Sequence, residues 1–174
     1  MLNLSDLSKK DKQFILSTVK LFKAKKKLFY SKLKKLGWKY LANGLYKKCY
    51  YKKQFVIKCI NNEYEGAAEC QNECKREYQQ YYRAPKKLQK HFPKIYYYST
   101  GVIIQEKVNE CDCDEGYSCK ELDKITKNYS CLNDTGHNHG IDKYGTVKFF
   151  DWVYFREDEY IYSTKKLPKN KKEW

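Results

Sequence analysis

The first sixty residues contain no arginine and no glutamate. Their charge comes from seventeen lysines against Asp6 and Asp11 alone, so they hold the whole of the chain's formal net charge of +15. Residues 61–174 carry nineteen basic and nineteen acidic side chains and are neutral. A segment so one-sided is drawn to phosphate-rich or acidic surfaces, with a purely solubilising role as the alternative. No apolar run approaches the roughly 20 residues of a membrane span, so no spanning helix is expected. Residues 1–6 lack a charged n-region and an apolar h-region, which argues against a signal peptide and for the cytoplasm. No internal repeat is present. With 174 residues, 41% of them hydrophobic, the chain can bury a core and has room for one domain or a small domain with an appendage.

Without a secretory signal, the eight cysteines are expected to be mainly reduced thiols. Cys49 and Cys59 lie in strand-like runs and read as small hydrophobes. Cys70 and Cys74 have helical spacing, which suits two buried helix positions better than half of a metal site.

Ser8 and Asp11 fit a capping box that opens a helix. Phe14, Ile15, Val19, Phe22 and Phe29 then recur at helical spacing between lysines, which predicts one or two amphipathic helices over residues 9–36. Such a stripe can lie on a membrane or nucleic acid, but more often packs on its own protein. Beyond it, Trp38-Lys39-Tyr40-Leu41, Cys49-Tyr50-Tyr51-Lys52 and Gln54-Phe55-Val56-Ile57-Lys58 are aromatic and β-branched, which favours strands, with a tight turn at Asn43-Gly44. Residues 63–83 lack proline and stop before Pro85, as a helix would. Ile95-Tyr96-Tyr97-Tyr98 and Val102-Ile103-Ile104-Gln105 suggest a hairpin turning near Gly101. A helix is expected over 115–130, then a strand at Val147-Lys148-Phe149-Phe150 entered through the turn at Asp142-Lys143-Tyr144-Gly145.

Four motifs fall on this order, between about residues 37 and 152. Leu41-Ala42-Asn43-Gly44-Leu45-Tyr46-Lys47-Lys48-Cys49 resembles the glycine-rich loop of protein kinases, with only the middle glycine, Gly44, retained. Phe55-Val56-Ile57-Lys58 resembles their lysine strand, and Glu69, Glu73 and Glu77 follow at intervals of four on the next helix. Ile103-Ile104-Gln105-Glu106-Lys107-Val108 resembles the hinge strand, whose backbone in kinases meets the adenine. Asn133-Asp134-Thr135-Gly136-His137-Asn138-His139-Gly140 with Val147-Lys148-Phe149-Phe150-Asp151 resembles the catalytic loop and metal-binding segment of compact kinase-like proteins.

The resemblance implies an α+β, protein-kinase-like two-lobe core with a truncated C-lobe and a basic helical extension. Its parts would be a helical arm at 1–36, an N-lobe and hinge at 37–110 and a reduced C-lobe at 111–174. It implies an ATP and Mg²⁺ site in which Gly44, Lys58, Glu77 and Glu106 bind the nucleotide and Asn138 and Asp151 hold the metal through oxygen. Lys47 and Lys48 are further phosphate candidates, and Glu73 is the second choice as partner of Lys58.

The departures carry information too. The position of the catalytic aspartate holds Asn133, which accepts no proton at neutral pH, with Asp134 beside it. Trp152-Val153 replaces the usual Phe-Gly, and the 22 residues that follow Trp152 leave no room for a full activation segment. Two functions therefore stand open: phosphoryl transfer to a protein, or an inactive pseudokinase scaffold that binds a protein or nucleic-acid partner through its basic first third. The size, the eroded motifs and the Lys-, Tyr- and Asn-heavy composition resemble kinase-like proteins of viruses and phages, which would place the protein in the host cell cytoplasm. Cys111, Cys113, Cys119, Cys131, His137 and His139 form a competing zinc-type cluster, whose C-x-C and H-x-H spacings are not those most common in structural zinc sites. A zinc-stabilised nucleic-acid binder using its tyrosines as stacking platforms is the third reading.

Overall fold

A computed structural model describes residues 8–13, 17, 26–44, 46–61, 67–84, 86–99, 101–110, 124 and 139–150. The chain divides into two units: residues 1–74 with 95–106, and residues 75–94 with 107–174. The architecture is mixed α+β. No described helix is long and apolar enough to cross a membrane.

The first unit is built on a five-stranded antiparallel sheet: β1 (Lys39–Asn43), β2 (Lys47–Lys52), β3 (Phe55–Ile60), β4 (Ile95–Ser99) and β5 (Val102–Glu106), in the order β1-β2-β3-β5-β4. Strands β3 and β5 are buried along their whole length, as a central pair should be, while all five residues of β1 are exposed. Tyr40 pairs with Tyr50 and Ala42 with Cys49, so Leu41 is an extra residue that bulges β1. Helix α1 (Lys26–Lys35) follows the expected amphipathic stripe, with Phe29 and Leu33 fully buried. Burying each such side chain stabilises the fold by about 1.5–3 kcal/mol. The helix stops at Gly37 (φ 80°), where Trp38 N–H bonds to Leu33 C=O and Gly37 N–H to Lys34 C=O. This Schellman cap needs a left-handed residue, which glycine supplies without strain.

The Ser8 half of the capping box forms as the sequence suggests, while the Asp11 carboxylate takes the Ser8 hydroxyl rather than its backbone N–H. Asp11 N–H donates to Ser8 Oγ (3.1 Å), and the Ser8 hydroxyl donates to Asp11 Oδ2 (2.6 Å). Asp11 also does more than cap a helix. It accepts from Trp38 Nε1 (3.2 Å) and from Lys52 Nζ (2.9 and 2.8 Å), tying the N-terminal segment to β2. Burial pushes the Asp11 carboxyl up, but hydrogen bonds from Lys52, Ser8 and Trp38 and the Lys52 charge outweigh it and hold it below the ordinary 3.8.

The second unit contains the end of helix α2 (Ala67–Arg83), whose residues up to Cys74 belong to the first unit, and the short α3 (Lys86–Gln89). It also holds a three-stranded antiparallel sheet, β6 (Asn109–Glu110), β7 (His139–Ile141) and β8 (Val147–Phe149), in that order. Among the described residues, Ala84, Leu88, Phe92, Val147 and Phe149 are its buried apolar side chains. Hydrogen bonds tie β8 to the segment after α3: Phe149 N–H to His91 C=O (2.8 Å), His91 Nδ1–H to Val147 C=O (3.0 Å) and Lys148 Nζ to Phe92 C=O (3.4 Å). The turn from β7 to β8 is organised by Asp142, whose Oδ1 accepts from Tyr144 N–H (2.8 Å) and Thr146 N–H (2.9 Å). Residues 115–130 lie outside the described residues apart from Lys124, which is helical.

Candidate functional site

Strand alternation sorts the sheet of the first unit into two faces. On β2, Lys48 sits over the Tyr30 ring (5.9 Å), Tyr50 packs on Tyr30 (5.8 Å), and Lys52 bonds Asp11 and Leu36 C=O (2.6 Å). That face therefore belongs to α1 and the N-terminal segment. Lys47, Cys49 and Tyr51 point the other way. Directly paired residues share a face, and Cys49 pairs with Lys58, which pairs in turn with Ile103. Lys58 thus shares its face with Lys47, Val56, Ile60, Ile103 and Gln105.

Lys58 is the fourth of the six residues of β3, which runs on to Ile60, and is only 5% exposed. Its strand runs between β2, which follows the glycine turn, and β5. Glu106 pairs with Phe55, on the face opposite Lys58, and its side chain is buried there. A contribution from Glu106 to a base on the Lys58 face would have to come from its backbone. The chain passes from the first unit to the second just after it, between Glu106 and Lys107.

Gly44 occupies the β1–β2 turn as expected, and the turn is tied down at both ends. Gly44 N–H donates to Lys47 C=O (2.9 Å), while Asn61 Nδ2 donates to Gly44 C=O (3.2 Å). Asn61 N–H adds a bond to Tyr46 C=O (2.7 Å), fixing the turn over the end of β3. The amide that a glycine loop would offer a phosphate is spent within the turn.

Glu73 and Glu77 are both buried on α2, Glu73 in the first unit with Lys58 and Glu77 in the second. The side chain of Glu69 lies outside the described residues, as do Asn133, Asp134, Asn138 and Asp151. The hairpin between the last two is described, and its open end pairs His139 with Phe149. Gly140 has a clear reason to be glycine: a Cβ there would run into the backbone carbonyl of Asn109 and the Val108 side chain. Of the zinc-type cluster only His139 is described, and among the described residues no group of three or more His, Cys, Asp or Glu side chains is placed to hold a metal.

Gln105 of the Lys58 face is not singled out by any motif, whereas Lys47 is already a phosphate candidate of the glycine-turn motif. Gln105 is 2% exposed, and its buried Oε1 has no hydrogen-bond partner among the described residues. Its signal in the sequence is a lone amide on an apolar strand. Lys47 is 6% exposed, a burial that only the strand register makes evident. Nearby, burial pushes the Cys59 thiol well up, with Cys74 and Cys49 adding to the shift, so it stays protonated as a core hydrophobe. No family model matches this chain, and no curated protein is significantly similar to it.

Proposed function

We propose that this protein is a kinase-like nucleotide-binding protein that takes Mg-ATP, with phosphoryl transfer to a protein as its eroded activity. The observation that carries the reading is the placement of Lys58. A lysine buried on a central strand is flanked on one side by the strand leaving a glycine turn and on the other by the hinge-like strand. The element order hairpin, strand, helix, hairpin agrees with it. In this reading Lys58 grips the α/β-phosphates beside a helix carboxylate, with Glu77 preferred, and the Glu106 segment meets the base. Asn138 and Asp151 supply oxygen ligands to Mg²⁺, which neutralises phosphate charge.

A thermal-shift titration with ATP, with and without Mg²⁺, tests this. Lys58→Met and Asp151→Ala are each expected to abolish the nucleotide-induced stabilisation while leaving the fold intact. Full retention by both variants would sink the assignment.

A second reading, a pseudokinase scaffold that binds a partner, is favoured by the charge partition and by Asn133. Charge reversal at Lys23, Lys25, Lys26 and Lys27 should then weaken binding to a polyanion such as duplex DNA and flatten its salt dependence. Unchanged binding at low salt would remove residues 1–36 from that role.

A further inference from the structure

We propose that Lys47 is a second phosphate-binding cation of the nucleotide site, standing in for backbone donors that the glycine turn no longer offers. This rests on the nucleotide reading above. Lys47 and Lys48 are adjacent in sequence and equal in chemistry, but β2 separates them. Lys48 lies on the α1 face against Tyr30, whereas Lys47 is buried on the face of Lys58. Lys47 pairs with Ile60, two residues from Lys58, so the two lysines are diagonal neighbours on adjacent strands. Such neighbours are about 7–8 Å apart, a span that one polyphosphate chain can bridge.

The turn supplies the complementary argument: Gly44 N–H is spent on Lys47 C=O, which leaves charge from a side chain to do what amides do in a glycine-rich loop.

The test compares Mg-ATP, Mg-ADP and adenosine binding to the parent, Lys47→Met, Lys47→Arg, Lys48→Met and Lys58→Met. Lys47→Met should weaken Mg-ATP binding about tenfold or more, as expected for loss of a charged hydrogen bond. Adenosine binding should not change, Lys47→Arg should recover most of the loss, and Lys48→Met should bind as the parent does. If Lys47→Met does not fold, Lys47→Gln replaces it with the same expectation. Parent-like Mg-ATP affinity in the Lys47 variant, an equal loss in Lys48→Met, or an equal loss for adenosine would each overturn the role of Lys47. With Lys58→Met still abolishing binding, any of these results leaves the nucleotide reading standing. A parent that binds none of the three ligands overturns both.

Discussion

Asp11 and Lys52, 41 positions apart, are joined by two hydrogen bonds of 2.9 and 2.8 Å, and the same lysine also donates to Leu36 C=O. One carboxylate thereby holds the first helical segment, the α1–β1 junction and β2 together. Asp11→Ala should cost about 2 kcal/mol or more, since it takes the carboxylate from the Lys52 ammonium and leaves the Trp38 indole without its acceptor. Urea unfolding measures this, and a change below 0.5 kcal/mol would show that the cluster is incidental.

The same carboxylate sets a pH dependence. Its folded pKa is lowered, so its contribution is full above the unfolded value near 3.8 and is lost as pH falls through the folded value. The parent should therefore lose stability below about pH 4 more steeply than Asp11→Asn. Parallel curves for the two proteins would contradict this.

Gln105 presents a buried acceptor to which nothing among the described residues donates. Leaving such a group unsatisfied costs about 1–3 kcal/mol. Gln105→Met, close in volume, should raise the unfolding free energy by about 1 kcal/mol. A fall in stability would instead reveal that the amide is bonded.

In the second unit, Gly140→Ala should destabilise by about 1–3 kcal/mol, because its methyl would have to displace the Asn109 backbone. Gly145 (φ 80°) has open space around it, so Gly145→Ala pays only for strain and should cost about 1 kcal/mol. Thermal melts of the two variants should rank them in that order.

For chemistry, Asn133→Asp should raise any phosphoryl-transfer rate, because it restores a proton acceptor. A positioned base typically contributes on the order of 10²–10⁴-fold. If the substitution brings no gain while Asp134→Asn removes residual activity, the base is Asp134. Inactivity of all these proteins favours the pseudokinase.

Much of the first unit was legible because its strands are written in aromatic and β-branched residues and its turns in Asn43-Gly44 and Gly101. Tyr50 and Phe55 declare a strand whatever surrounds them. What the sequence could not disclose is register. A shift of one residue exchanges the faces of Lys47 and Lys48, and no local pattern distinguishes two consecutive lysines. The Asp11–Lys52 pairing was hidden for a related reason: a capping box is local, whereas its acceptor serves a donor brought in by the sheet. The short β6 and β7 were missed as well. Asn109, His139 and Gly140 have little strand propensity, and pairing with neighbours alone makes them strands.

The extra residue in β1 bears on how copies of this chain behave toward one another. Among the described residues β1 has no neighbour on its outer side, and Tyr40 and Leu41 are exposed along it. A straight, apolar edge of that kind invites a second molecule to add its own strand, the first step toward aggregation. The bulge at Leu41 throws the outward-facing amides and carbonyls out of step, so an incoming strand finds only interrupted pairing. A chain with Leu41 deleted would present a regular template instead, and its solubility limit would fall even if its stability rose.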